Sequence, residues 1–271
     1  MAKSKEWLDK VDKMLDDLAS ETDKVKQSQM YKNWLDCCAK FWHYSYGNQL
    51  LILWQMPEAT RVAGYLKWQR MKRQVRKGER GISILAPGLK KIEADEEKKE
   101  IKVIQYFFPV SVFDISQTDG EPLPELDIRL SGNSYVEQFK RLVKFAESEN
   151  IKVGLESLRY GQYGSSSNGS VMLSDTESVN TNLATLIHEV AHEFLHWNGE
   201  RSTRQRMETE AESVSYVVLS YLGIVCKAPV YLAGVGTDKK MLAASLDSIA
   251  SAAKRIIIGI ESQVEVKSEI A

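Results

Sequence analysis

The chain has 271 residues, of which 43% are hydrophobic and 27% charged, and its formal net charge is −1. This length favours two domains, and the composition excludes disordered and collagen-like chains. No apolar run approaches the roughly 18 residues that span a membrane, and the charged N-terminus lacks the apolar core of a signal peptide. With an odd count of three cysteines, we expect a cytoplasmic protein with no disulfide framework and no membrane partner.

Charge is distributed unevenly along the chain. Residues 61–91 hold ten basic side chains and one acidic side chain, a formal charge of +9, whereas residues 175–213 hold eight acids and three bases, a formal charge of −5. This asymmetry predicts two functional surfaces of opposite sign.

The predicted elements indicate an α+β fold in two domains. Apolar spacings of three and four residues predict helices, and short β-branched and aromatic runs predict strands. In the first half, helices are predicted at about 7–18, 27–44 and 48–56, and strands at 61–63, 82–85 and 101–113, with an exposed charged turn at 90–100. Segment 114–126 is rich in turn-forming residues and holds two prolines, so the domains are predicted as 1–125 and 126–271. In the second half, helices are predicted at about 134–150, 181–197, 207–222 and 238–260, with a loop at 161–170 and a strand at 171–173.

A metal-binding motif lies on the helix at 181–197. His188 and His192 are four residues apart, so they lie about 40° apart around the helix and about 6 Å along it. Both imidazoles can therefore bind one Zn²⁺ ion. Glu189 adjoins the first ligand and is placed to take a proton from the attacking water, as in zinc peptidases. His196 lies about 12 Å beyond His188 along the axis, too far to share the ion easily.

The third ligand is predicted among the acids of the following helix. Glu208 and Glu212 share one face, which flanks the apolar stripe, whereas Glu210 points elsewhere. We therefore assign Glu208 as the ligand, and Glu212 as the group that hydrogen-bonds a ligand imidazole and fixes its tautomer. Tyr160, Tyr163 and Tyr216 remain alternative stabilisers of the oxyanion.

The motif resembles the gluzincin pattern, in which HExxH is followed by E-x-x-A-[END] on the next helix. Residues 208–212 read ETEAE and match it with Glu208 at the ligand position. The resemblance is closest to ImmA/IrrE-like metallopeptidases and to the C-terminal domain of ArdC-type antirestriction proteins. It implies a gluzincin-like domain that hydrolyses a protein or peptide substrate. It also implies that an edge strand, here 169–174, pairs with that substrate.

The basic segment predicts binding to single-stranded DNA. Lysine and arginine contact phosphates, and exposed aromatic rings stack on unpaired bases. Trp54 is a further candidate for stacking, although Trp54 and the leucines at 50, 51 and 53 fit a buried stripe equally well. The predicted DNA contacts are Arg61, Tyr65, Lys67, Trp68, Arg70, Lys72, Arg73, Arg76, Lys77 and Arg80.

This half of the chain also resembles a known domain. One set of residues resembles the N-terminal single-stranded-DNA-binding domain of ArdC-type proteins: Ser45, Asn48, 50–52, Pro57, 59–64, Trp68, Val75, 77–81 and 82–87. The segment VFDISQTDGEPLPEL at 112–126 resembles the end of the same domain. The leading hypothesis is therefore a single-stranded-DNA-binding zinc metallopeptidase with an antirestriction role or DNA-dependent protein cleavage. One alternative is a non-catalytic DNA-binding antirestriction protein whose zinc is structural. Another is a peptidase that does not bind DNA.

Overall fold

The chain forms two compact units in the computed structural model, which describes residues 2–21, 24–92, 101–122, 134–159, 161–197, 203–226 and 238–262. The first unit comprises Met1–Asp17 and Tyr46–Glu125, and the second comprises Leu18–Ser45 and Leu126–Ala271. Both are mixed, as the predicted α+β class requires. No helix within the described residues has the length and apolarity to cross a membrane.

The helices predicted from periodicity are all present, and five short elements were not predicted. The unpredicted elements are one helix, at 65–70, and four strands, at 73–75, 118–120, 152–156 and 164–166. The helices are α1 (Ala2–Ser20), α2 (Lys24–Lys40), α3 (Tyr46–Gln55), α4 (Tyr65–Arg70), α5 (Ser134–Ser148), α6 (Val179–Leu195), α7 (Arg204–Tyr221) and α8 (Lys239–Ser262). The strands are β1 (Val62–Gly64), β2 (Arg73–Val75), β3 (Ile82–Ile92), β4 (Ile101–Asp114), β5 (Thr118–Gly120), β6 (Lys152–Glu156), β7 (Gly164–Ser166) and β8 (Ser170–Ser174).

The first unit is built on a long antiparallel hairpin. Strands β3 and β4 pair along their whole length, β1 pairs with the other edge of β4, and β2 pairs with β5 in a separate ribbon. The predicted charged turn falls mostly at 93–100, outside the described residues.

Helix α3 covers the open edge of β3 with two amide side chains. The Asn48 side chain donates to the Leu85 carbonyl and accepts from the Leu85 N–H, at 2.9 and 2.8 Å. Gln55, two turns later, does the same with Ser83, at 2.9 Å in both directions. These amides take the place of a fourth strand at Ser83 and Leu85, so the main-chain groups of these two residues are satisfied without pairing to another molecule.

The second unit surrounds a small mixed sheet with helices. Strand β8 is central, parallel to β6 and antiparallel to β7. Helix α6 packs on this sheet and against α5, α7 and α8. Helix α2 belongs to this unit as well, because it packs on α7.

Two hydrogen-bonded tyrosines connect α2 to α7. The fully buried hydroxyl of Tyr31 lies 2.8 Å from that of Ser213, and Tyr216 donates to Asp36 at 2.6 Å. A segment from the first fifth of the chain therefore forms part of the core beside the HExxH motif.

Candidate metal centre

Helix α6 is anchored to the sheet at its first turn. The Ser178 side chain caps the helix by accepting from the Thr181 N–H, and the buried Asn182 side chain donates to the Ser174 carbonyl at 3.0 Å. Leu183, Leu186, Ile187 and Val190 are fully buried. The remaining side of α6 carries the two histidines of the motif.

The structure brings His188, His192 and Glu208 together. The Nε2 atoms of the two histidines lie 3.0 Å apart, and an oxygen of Glu208 lies 3.4 Å from the first and 3.5 Å from the second. Among the described residues this is the one cluster of three or more His, Cys, Asp or Glu side chains that could hold a metal ion. Glu208 arrives from α7, as the sequence predicted.

The three ligand atoms have the spacing that a small divalent cation requires. Two ligands of a tetrahedral ion with bonds of about 2.1 Å lie roughly 3.4 Å apart. The observed separations of 3.0–3.5 Å fit three ligands of one such ion. The side chains of His188 and Glu208 are 24% and 44% exposed, so the site is accessible to solvent.

The His192 imidazole is suited to metal binding. Burial, reinforced by the neighbouring His188, lowers the pKa of His192 to about 4. The ring is therefore neutral near pH 7, and a neutral imidazole is the form that binds a metal ion.

Glu189 lies beside the cluster and faces β7. Burial raises the pKa of its carboxyl, whereas the nearby His188 and a hydrogen bond from the Ser166 side chain act in the opposite direction. The close approach depends on Gly164, because a Cβ at this position would lie 2.5 Å from Cγ2 of Thr185 and 3.4 Å from Cγ of Glu189. Glu189 is thus a carboxylate with a raised pKa next to three candidate metal ligands, an arrangement that suits a general base.

The expected role of Glu212 is not supported. Its side chain is exposed and makes no hydrogen bond or ion pair to a described residue. The buried acid of the motif is Glu210, which binds Arg206 at 2.8 Å and also accepts from Ser245. Periodicity correctly directed Glu210 away from the ion but did not predict its polar partners.

The expected edge strand at 169–174 is wrong, because both of its sides are occupied. Strand β8 lies between β6 and β7, so the free edge beside Glu189 belongs to β7. The bonds Ser174 N–H to Tyr163 O and Ser167 N–H to Ser170 O fix the antiparallel pattern. The main-chain groups of Gly164 and Ser166 therefore point outward, since bonding direction alternates along such a strand.

The oxyanion candidates differ in their surroundings. Tyr216 is 8% exposed and is bound to Asp36, so its hydroxyl has a structural partner. Tyr163 is 52% exposed and adjoins β7. Tyr160 lies outside the described residues.

In the basic segment, Trp68 is not the exposed platform that was predicted. Its ring is 1% exposed and packs with Ala63 and Val75, and its indole N–H donates to the Phe113 carbonyl at 2.9 Å. The periodicity of a six-residue helix was too short to distinguish its buried side from its exposed side.

Two of the predicted phosphate contacts are engaged in the protein itself. Arg73 donates to Thr118 and Gly120, fastening β5 to β2. Arg76 binds Glu79 at 2.7 Å and Asp119 at 3.3 Å. Their loss would therefore alter the fold as well as the surface charge.

The other predicted contacts lie on the surface of the first unit. Lys72 forms an exposed ion pair with Glu121 at 3.3 Å, and Tyr65 is 42% exposed, with its hydroxyl accepting from Gln74. Five basic side chains are exposed and form no ion pair with a described acid: Arg61, Lys67, Arg70, Lys77 and Arg80.

Strand β4 carries an exposed aromatic surface that is not predicted from the sequence. Tyr106, Phe107 and Phe108 are 57%, 44% and 40% exposed, and the rings of Tyr106 and Phe108 lie 6.0 Å apart. Gly88 lies beneath the Tyr106 ring, since a Cβ there would come within 2.4 Å of it. Three consecutive aromatic residues in a β-branched strand resemble core, so only their position beyond the packed part of the hairpin identifies them.

Residues 6–113 match the family described as the N-terminal domain of anti-restriction factor ArdC, which confirms the resemblance in this half of the sequence. An uncharacterized protein of Bacillus anthracis, pXO2-81, is 27% identical over 259 residues; the match covers 79% of this chain and 43% of that protein. The chain thus spans less than half the length of this relative.

Two solved structures are similar to the chain. One is the metal-free crystal structure of antirestriction ArdC protein from plasmid R388, with 18% identity, a TM-score of 0.49, and coverage of 80% of this chain and 85% of that one. The other is its Mn(II)-bound structure, with 18% identity, a TM-score of 0.45, and coverage of 78% and 82%.

Proposed function

Because residues 6–113 match the family of ArdC N-terminal domains, we propose that the chain is a single-stranded-DNA-binding zinc metallopeptidase with an antirestriction role. The observation that carries the proposal is the convergence of His188, His192 and Glu208 on one point, with Glu189 beside it. Two histidines and one glutamate, with an open fourth position, are a donor set of catalytic zinc sites.

The reaction requires a base, a bound substrate and a metal ion. When bound, the ion polarises the substrate carbonyl and lowers the pKa of water. Glu189 takes the proton from the attacking water and transfers it to the leaving nitrogen. Its raised pKa makes it a stronger base than an ordinary carboxylate for the first of these transfers.

Strand β7 provides a place for an extended peptide. The outward main-chain groups of Gly164 and Ser166 can pair with a peptide strand, which places a substrate carbonyl close to Glu189. This arrangement takes over the role that the sequence assigned to 169–174.

Replacing Glu189 with Gln tests the mechanism. We expect Glu189→Gln to retain zinc, because both histidines and Glu208 remain, and to lower peptide hydrolysis by about 10²–10⁴-fold. The assay measures release of fluorescent peptides from labelled casein, with and without oligodeoxythymidine, and zinc content is measured in parallel. The matched control is Glu212→Gln, which removes an exposed acid from the same region without effect on either quantity.

The alternative is a purely structural metal ion. Structural zinc sites are closed by four protein ligands, whereas the described residues offer three and the site is partly exposed, which favours catalysis. Equal, background-level hydrolysis by zinc-loaded wild type and Glu189→Gln would support the structural alternative. Titrating metal-free protein with Zn²⁺ and Mn²⁺ separately tests the choice of ion.

The first unit is proposed to bind single-stranded DNA. Its exposed lysine and arginine side chains supply contacts to phosphates. The rings of Tyr65, Tyr106 and Phe108 supply exposed faces for stacking, whereas the buried ring of Trp68 does not. Phosphate contacts give affinity for any sequence, and stacking selects unpaired bases.

Anisotropy of labelled oligonucleotides separates the two contributions. Lys67→Ala combined with Arg70→Ala should weaken binding and flatten its dependence on salt, by about 0.7 in the logarithmic slope for each phosphate that the variant no longer neutralises. Tyr106→Ala combined with Phe108→Ala should weaken binding by about 10-fold or more with the slope unchanged. Equal affinity for single and double strands would contradict the proposed stacking on unpaired bases. Absence of binding at low salt would favour a peptidase that acts without DNA.

A further inference from the structure

His196 lies next to the metal-binding cluster and is not used in the proposed reaction. It caps the C-terminus of α6, its side chain is 5% exposed, and its ring lies 5.2 Å from that of His192. It is not a member of the three-ligand cluster. A buried histidine beside a metal site therefore needs another explanation.

The His196 side chain binds the main chain of α7 next to the third ligand. Its Nε2 lies 3.1 Å from the carbonyl oxygen of Met207. Because a carbonyl only accepts, Nε2 carries the hydrogen and donates it. Met207 immediately precedes Glu208, so this bond fixes the distance between the end of α6 and the residue that completes the ligand set.

A second contact holds the same turn of α7. Glu210 is bound by Arg206 within its own helix and by Ser245 from α8, and an oxygen of Glu210 lies 3.9 Å from Nδ1 of His196. The first turns of α7 are thus held from α6 and from α8.

Glu208 itself has little support from other side chains. Its carboxylate is 44% exposed, and besides the two histidines its one ion-pair partner among the described residues is Arg204, at 4.0 Å and 93% exposed. A long-range exposed ion pair of this kind contributes little. The location of Glu208 is therefore set by its main chain.

We propose that His196 is a positioning residue for the metal site, which holds Glu208 within reach of the ion through its hydrogen bond to the Met207 carbonyl. This inference rests on the proposed metal site. It assigns to the third histidine a role in metal affinity without metal contact.

The test compares zinc affinity in three variants of the full-length chain. Gln can place an N–H near the position of the imidazole Nε2, whereas Asn and Ala cannot reach the Met207 carbonyl. We expect His196→Ala and His196→Asn to bind zinc about 10–100-fold more weakly, and His196→Gln to stay close to wild type. Metal-stripped protein is titrated with zinc chloride against a chromophoric chelator, and the unfolding temperature of each metal-free variant shows whether it folds.

A double-mutant cycle with Glu208→Ala tests the route of the effect. If His196 acts through Glu208, His196→Ala should cause little further loss of zinc affinity once Glu208 is absent. If His196→Ala does not fold, the same cycle is run with His196→Asn.

Three results would overturn the inference: unchanged affinity in His196→Ala and His196→Asn, equal loss in His196→Gln, or a full additional loss in the Glu208→Ala background. Failure of the metal site itself is distinguishable, because His188→Ala would then bind zinc as wild type does.

Discussion

Asp114 illustrates how one buried carboxylate organises the first unit. It is 2% exposed and accepts main-chain hydrogen bonds from Thr60, Arg61 and Ser116 at 2.8–2.9 Å. Its own N–H donates to the side chain of Gln117. Burial raises the pKa of Asp114, but these hydrogen bonds outweigh it, and the net effect is a lowered pKa.

Asp114→Asn should therefore destabilise the first unit by about 3 kcal/mol at pH 7, because an amide leaves at least one buried N–H without an acceptor. A lowered pKa means that the stabilisation is complete above the ordinary aspartate pKa of about 3.9 and is lost as pH falls through the folded value. Urea unfolding at pH 7 and pH 3 should show the difference between wild type and variant shrinking at the lower pH. Asp119→Asn, an exposed control, should cost less than about 1 kcal/mol; equal costs would contradict this account.

Gly164 is the residue that allows the free strand to approach the base. Gly164→Ala should destabilise the second unit by about 1–3 kcal/mol and lower hydrolysis, because the added methyl group overlaps Thr185. Thr185→Ser removes the overlapping methyl group, so the double variant should recover most of both losses. Gly64→Ala is the control, since a Cβ at Gly64 meets no atom within 4 Å. Failure of Thr185→Ser to rescue would place the cause elsewhere.

At the level of elements, α3 is a helix whose amide side chains cover the edge of β3, as a neighbouring strand would. Asn48→Ala and Gln55→Ala should each cost about 1–3 kcal/mol, because each leaves an N–H and a carbonyl of β3 without their partner. Chemical denaturation provides the measurement. Gln69→Ala removes an exposed amide from α4 and should change stability by less than about 0.5 kcal/mol. A loss as large in Gln69→Ala would show that removing any amide from a helix surface has this cost, and that coverage of the β3 edge is not the cause.

The sequence predicted the elements and residues that depend on local spacing. The helical periodicity of α6 and α7 predicts the two histidines and Glu208 as ligands, and the structure brings these three side chains together. Strand β7 was not predictable, because a three-residue strand of Gly and Ser has no periodicity and forms only by pairing with β8. The burial of Trp68 and the exposure of Tyr106 likewise depend on which element packs over each ring.

At the level of the whole molecule, the N-terminal segment contributes to both units. Helix α2 lies within the region that matches the ArdC N-terminal domain, yet it packs on α7, the helix that carries Glu208. Periodicity identified α2 as a helix but could not identify its partner, because that partner is more than 160 residues away.

Leu35 is fully buried on α2, so Leu35→Ala should destabilise the unit that holds the proposed zinc site. We expect the free energy of unfolding for the zinc-sensitive transition to fall by about 2–5 kcal/mol. Leu51→Ala, equally buried but in the first unit, should leave the zinc-sensitive transition unchanged. Calorimetry with and without zinc measures both. If both variants shift the zinc-sensitive transition equally, the two units unfold together.

The placement of α2 also sets a delay during protein synthesis. Helix α2 leaves the ribosome long before its partner, since Arg204, the first residue of α7, follows Lys40 by 164 residues. At about 5–20 residues per second, the buried side of α2 waits roughly 10–30 seconds for its partner. During that interval Tyr31, Trp34 and Leu35 form an uncovered apolar surface on the nascent chain, suited to chaperone binding, and truncated chains that end before α7 keep it uncovered.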